Sequence, residues 1–249
     1  MIRLACALAL AVFGYSAKAQ ADTVIGIYAG ADFWQSESSG RFANNDPMQA
    51  FTFADRSQQA YYLAFEHFVP VLPNVRVQHA AVKVFGEATL TENFQFAGSV
   101  FPSASQLDSS LSLRTTDYIF YYELFDNPLL ALDLGVGAKN IQGDVAVTQA
   151  QLTGTQPLNQ WLPMLYTATQ VSILATGFDV FASGSLSGDS DSQFYDVQAG
   201  LAYQFTETIL LNARFKLGVR AMELQFSDLD NLDADVSIKG IFAGIELHF

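Results

Sequence analysis

The sequence predicts an all-β fold: an antiparallel up-and-down transmembrane β-barrel of ten strands, with eight as the alternative. Three observations lead there. The segment 238–249 places Ile241, Ala243, Ile245, Leu247 and Phe249 on one face of a strand. Gly240, Phe242, Gly244, Glu246 and His248 fall on the other, because side chains alternate with period two. Half of the 249 residues are hydrophobic, yet beyond the N-terminal region they are dispersed among Gly, Ser, Thr, Asn and Gln. No stretch there approaches the ~20 apolar residues of a membrane-spanning helix. Finally, Arg3, the apolar run 4–13 and the small residues of Ala17-Lys18-Ala19-Gln20-Ala21 read as an export signal.

Cleavage is expected after Ala21, with Ala19 as the near alternative, so residues 1–21 are assigned as signal peptide and 22–249 as one barrel domain. Cys6 opens the apolar run rather than closing it, which disfavours a lipoprotein reading. It is the sole cysteine, so the exported chain gains no stability from disulfides. Losing Arg3 and Lys18 takes the net charge from −13 to −15. Such acidity argues against a nucleic-acid partner.

The strands follow in order. The first covers 24–34, leaving no room for an N-terminal plug, and 36–57 reads as a polar loop with Gly40, Asn44, Asn45 and Pro47. Strands two (59–69) and three (75–86) flank the turn 70–74, and a long loop covers 87–110. Strands four (111–125) and five (129–141) flank Asp126-Asn127-Pro128, and 142–161 reads as a third long loop. Strands six (162–172) and seven (177–187) flank 173–176; eight (193–205) and nine (208–226) flank Thr206-Glu207; 238–249 closes the set. Proline is expected in turns, loops or strand ends, where a missing amide donor is tolerated. Short turns after strands two, four, six and eight alternate with longer connections, as in outer-membrane barrels with both termini on the periplasmic side.

Strand faces give the candidate lumen. An ionised side chain near the bilayer midplane costs about 2–4 kcal/mol, so the charged sets must point inward. The acids are Asp32, Glu66, Asp117, Glu123, Asp133, Asp179, Asp196 and Glu246. The bases are Arg76, Lys139, Arg214, Lys216 and Arg220. The sixth strand, with Tyr166, Ala168 and Gln170 against Leu165, Thr167, Thr169 and Val171, is ambiguous. Ten strands enclose little more than the eight-stranded kind, whose interior side chains just fill. These charges should therefore pair across the interior as a structural network, or line a narrow, cation-favouring pore. Replacing Arg214 and Arg220 is expected to strand Asp133 or Glu123.

Two runs are distinctive: Glu66-His67-Phe68-Val69-Pro70-Val71-Leu72-Pro73-Asn74-Val75-Arg76, and Thr116 to Asn127 followed by Leu132-Asp133-Leu134-Gly135. Together with the closing Phe249 they resemble a family of uncharacterised Gram-negative outer-membrane β-barrel proteins. The resemblance implies the barrel fold, an outer-membrane location, a lipid and lipopolysaccharide environment, and a terminal aromatic, Phe249, read by the barrel assembly machinery. It transfers no catalytic or ligand residue.

An enzyme is not expected. Outer-membrane enzymes need a general base near the outer rim. His67, His79 and His248 all lie toward the opposite end, and His67 and His79 share parity with lipid-facing neighbours. No metal, nucleotide or redox cofactor is implied. The expected loops carry Glu37, Asp46, Asp55, Glu92, Asp108, Asp144, Asp189, Asp191, Asp228, Asp230 and Asp233 against Arg41 and Arg56, eleven acids to two bases. They allow an adhesin or ligand-binding alternative. Residues 228–235 start like a calcium loop but lack its turn glycine, and Lys239 stands where the bidentate Glu belongs. An acidic hairpin tip is the expected reading.

Overall fold

A computed structural model describes residues 25–44, 47–189, 192–208 and 211–249. The expected signal peptide at 1–21, Cys6, Asp46 and Asp191 lie outside the described residues. The strands are β1 (Ile25–Ala43), β2 (Gln49–Phe53), β3 (Arg56–His67), β4 (Asn74–Thr89), β5 (Phe94–Phe96), β6 (Ser99–Phe101), β7 (Gln106–Asp126), β8 (Leu130–Gln149), β9 (Leu152–Ile173), β10 (Phe178–Gly188), β11 (Gln193–Glu207), β12 (Asn212–Phe226) and β13 (Asp233–His248). Ten of them, β1, β3, β4 and β7 to β13, form antiparallel staves, and pairing of β13 with β1 closes the ring. Closure leaves no edge in the bilayer, which is the condition for a sheet to cross it. Phe249 extends the seam: its amide donates to the Ile27 carbonyl at 2.9 Å, and its carbonyl accepts from Ile27 at 3.1 Å.

The turn chemistry is local. Asn127 Oδ1 accepts the amides of Leu129 and Leu130 at 3.0 and 3.1 Å between β7 and β8. Asn74 Oδ1 accepts the His67 amide at 3.0 Å between β3 and β4. Such side-chain acceptors mimic a backbone turn, which is why Asn marks these positions. The short turns and both ends of the described barrel gather at one rim, here the turn end.

Three expected loops are largely strand. Residues 36–43 continue β1, and β2 continues β3 across a one-residue bulge at 54–55, since the pairing with β1 shifts from Ser36–Arg56 to Ser39–Thr52. The expected loop 142–161 is the upper hairpin of β8 and β9, paired without a break from Gln142–Asn159 to Gln149–Leu152. The loop 87–110 contains the hairpin β5–β6, turned by Ala97 and Gly98 at φ 48° and 76°. Glycine suits that left-handed position because it has no Cβ to clash.

The two halves of the wall have opposite polarity. In β12, outward Phe215, Leu217 and Val219 give way to Ala221, Glu223 and Gln225. Inward Arg214, Lys216 and Arg220 give way to Met222, Leu224 and Phe226. β13 changes likewise, from outward Ile245 and Ile241 to Lys239, Ser237 and Asp235, while Ile238 and Val236 turn inward. Below this level an exposed apolar belt that includes Leu63, Phe120, Val136, Leu165, Val197, Leu217 and Ile245 faces outward. Above it, toward the loop end, buried Phe42, Phe96, Phe101, Leu113, Val145, Phe194, Leu224 and Val236 form one continuous core inside the barrel. The β5–β6 hairpin is part of that core.

Two prolines are exceptions to the expected placement. Pro157 and Pro163 sit inside β9. β10 pairs with β9 only up to Met164–Ser187, so the upper part of β9 lacks a neighbour on that side. Asn159, of the same parity, sends its amide to Asp230 Oδ2 at 2.8 Å on that open side. The missing donors of Pro157 and Pro163 therefore fall where no ladder bond exists, and they blunt an open edge.

Candidate functional site: the lumen

The expected lumen residues point inward, and β9 is resolved with Tyr166, Ala168 and Gln170 inward as well. Most of the charges pair between adjacent strands or across one intervening strand. Lys139 Nζ meets both Asp117 oxygens at 2.6 and 2.8 Å, directly opposite it on β7, and both side chains are buried. Arg220 holds Asp196 with two bonds, 2.9 and 2.6 Å, while its guanidinium lies 4.5 Å from the Trp34 ring. Lys216 reaches Asp32 at 2.9 Å across β13. Both residues pair in register with Gly244, where a Cβ would collide with the Asp32 carboxylate. Glycine at that one position lets the ion pair form over the strand. Arg214 lies between Glu246 at 3.4 Å and Asp179 at 3.5 Å, and donates to Gln170 at 2.5 Å. Glu246 also accepts from the Tyr62 hydroxyl.

This arrangement corrects the expected consequence of removing Arg214 and Arg220. Their partners are Asp179, Glu246 and Asp196, not Asp133 or Glu123. Glu66 instead accepts from Tyr121 at 2.7 Å, and Glu123 accepts from the Asn74 amide group at 3.3 Å. Arg76 packs its guanidinium 3.6 Å from the Tyr62 ring centre and 5.9 Å from that of Tyr166. Such stacking is attractive, and Glu246 and Asp133 act on Arg76 only through longer-range Coulombic attraction, without an ion pair.

Four tyrosines, Tyr28, Tyr62, Tyr121 and Tyr166, share this chamber and are absent from the expected lumen set. Their parity was the available signal: each matches an inward acid or amide two or four residues away on its own strand, as Tyr62 with Glu66 and Tyr121 with Asp117. With Glu66, Arg76, Glu123, Asp126 and Asp133 they line a cavity of about 210 Å³. Glu123 and Asp126 are exposed, so the cavity opens at the turn end. Farther in, beside Asp117, Asp196 and Gln198, the gap shrinks to about 10 Å³. That is at the lower limit of roughly 10–15 Å³ that one water needs. The apolar core lies beyond it.

The histidines do not converge. His67 and His79 point outward, His79 with its Nδ1 3.0 Å from the Thr116 hydroxyl, and the His248 ring stacks on Tyr28 at 4.0 Å. At the loop end Asp230 is occupied by the Asn159 amide and the Gln160 side chain, and Asp233 accepts the Asp228 amide at 2.8 Å. Several residues placed in loops, including Glu37, Arg41, Asp108 and Asp144, stand on the outer face of strands. Arg41 pairs there with Asp235 at 3.1 Å and Lys239 with Glu223 at 2.8 Å.

No protein-family model and no curated protein matches the sequence. Among solved structures, the chain is similar to the outer membrane protease OmpT of Escherichia coli, with 9% identity over 90% of this chain and 96% of that one, at a TM-score of 0.51. Similarity extends to the transport unit of the autotransporter AIDA-I of Escherichia coli, at 8% identity over 98% and 95% of the two chains and a TM-score of 0.45. It also extends to the attachment invasion locus protein Ail of Yersinia pestis in complex with sucrose octasulfate, at 10% identity over 88% and 98% and a TM-score of 0.40. The fold is that of Gram-negative outer-membrane β-barrel proteins. With its closed ring and apolar outer belt, the chain is a barrel of the bacterial outer membrane.

Proposed function

We propose that this is a non-enzymatic, structural outer-membrane barrel whose lumen is closed to ions. One observation carries the reading: the apolar core that fills the loop half, from Phe42 and Phe96 to Val236, above a layer of mutually neutralised charges. An ion entering at the turn end would have to leave a wetted chamber for a densely packed apolar interior, where an unpaired charge is very costly. Short turns mark the periplasmic side of outer-membrane barrels. The turn end is accordingly assigned to the periplasm, and the polar-faced loop half to the cell surface among lipopolysaccharide headgroups. The scattered histidines support the absence of a general base at that surface.

Planar-bilayer recording of the refolded barrel, with a salt gradient at neutral pH, tests this reading. A silent but demonstrably folded barrel is expected. Discrete cation-selective openings would instead make the charged layer a narrow pore lining.

A further inference from the structure

We propose that the turn-end cavity binds a small zwitterion of amino-acid size, with its anionic group against Arg76 and Tyr166 and its ammonium among Glu66, Glu123 and Asp133. The proposal goes beyond the closed-barrel reading, since a blind chamber can hold a solute without passing it.

The charge inventory of the lumen points there. Lys139, Arg214, Lys216 and Arg220 each have a carboxylate within ion-pair distance, and together they engage Asp32, Asp117, Asp179, Asp196 and Glu246. Arg76 has none within 4.0 Å among the described residues. Its side chain makes one hydrogen bond among the described residues, 3.3 Å to Gln78 on its own strand, and its Nε is buried without a described partner. A half-buried guanidinium whose Nε is shut off from solvent in that state needs an explanation, because ionised groups are costly to bury unmatched.

The acids around it are in the complementary condition. Glu66 and Glu123 are held by tyrosine and asparagine, not by a cation, and the Asp133 carboxylate accepts no hydrogen bond from a described residue. Tyr166, 8% exposed and lining the same cavity, likewise has a hydroxyl with no described partner. A simple anion would match Arg76 but face three carboxylates. A simple cation would match the carboxylates but be repelled by Arg76. One ligand carrying both charges a few bonds apart satisfies both sets. At about 30 Å³ per liquid water, 210 Å³ is room for roughly seven waters, or for one such solute with a few of them.

The test is calorimetric titration of the refolded barrel with glycine, β-alanine and 4-aminobutyrate, against propylamine and propionate as single-charge controls. At least one amino acid should bind, and at least tenfold more tightly than either control. Arg76→Gln and Asp133→Asn should each weaken it about tenfold or more, while Lys239→Gln on the outer wall should leave it unchanged. Should Arg76→Gln fail to give the heat-resistant gel mobility of a folded barrel, Tyr166→Phe serves instead, with a several-fold loss expected. Absence of binding by all three amino acids overturns the proposal. So does propylamine binding as well as the best of them, or affinity indifferent to these lumen substitutions. Conductance is read independently, so failure here and failure of the closed-barrel reading are distinguishable.

Discussion

The turn half and the loop half of the barrel wall have opposite polarity. In the turn half the outer face meets lipid, so Leu63, Leu165, Leu217 and Ile245 lie outside and the charges lie inside. In the loop half the outer face is polar, as contact with water or headgroups requires: Glu223, Gln225, Ser237 and Lys239 lie outside while Met222, Leu224, Val236 and Ile238 form a core. Alternation never breaks along β12 or β13; what changes is which parity is apolar. The solvent outside the wall therefore decides what the inside must be. Lipid outside permits a polar, partly wetted interior, whereas water outside requires the interior to supply the apolar burial that holds the fold.

That contrast predicts where substitutions hurt. The largest effects should come from the loop-half core. Phe96→Ala, in the hairpin that fills the barrel, is expected to cost about 3–5 kcal/mol in denaturant unfolding from lipid vesicles. A comparable loss, roughly 3–5 kcal/mol, is expected in the turn half from Lys139→Ala, which leaves Asp117 buried and unpaired. The double change Lys139→Met with Asp117→Leu should recover most of it, which would identify the loss as stranded charge rather than lost packing. Next comes the outer face, where Leu217→Arg should cost about 2–4 kcal/mol in the lipid belt. Gln225→Arg, eight residues along the same face, should stay within about 0.5 kcal/mol. Equal costs at the two positions would break the comparison. Smallest is the exposed pair Lys239–Glu223: a double-mutant cycle should give about 0–1 kcal/mol, falling as salt is added.

The turn half was legible from sequence because its pattern obeys the membrane rule. Strand count, short turns and the inward set from Asp32 to Glu246 followed from parity and from the cost of charge in lipid. The loop half was not, and the reason is physical. In 142–161 the outward residues Asp144, Thr155, Pro157 and Asn159 are polar or lack an amide donor, and the apolar Val145, Val147 and Leu158 point inward. Judged against a lipid-facing template such a stretch looks like loop, although its alternation is intact. The prolines added to that impression, since their position on an open edge depends on how short β10 is. The pairing of the charges was hidden for another reason. Lys216 and Asp32 are distant in sequence and meet only because Gly244 leaves the space between them. Only a register assignment shows that Arg214 and Arg220 serve Asp179, Glu246 and Asp196 while Arg76 is left over.

The reversal itself can be measured along one strand. Single cysteines carrying nitroxide labels at Phe215, Leu217, Val219, Glu223 and Gln225, all on the outer face of β12, would be scanned in lipid bilayers. Collision with oxygen, which prefers lipid, is compared with collision with a water-soluble nickel chelate. The first three labels should be oxygen-accessible and the last two chelate-accessible, with the change near Ala221. Lipid-like accessibility continuing through Gln225 would contradict the account, because the apolar interior of the loop half would then no longer follow from water outside the wall.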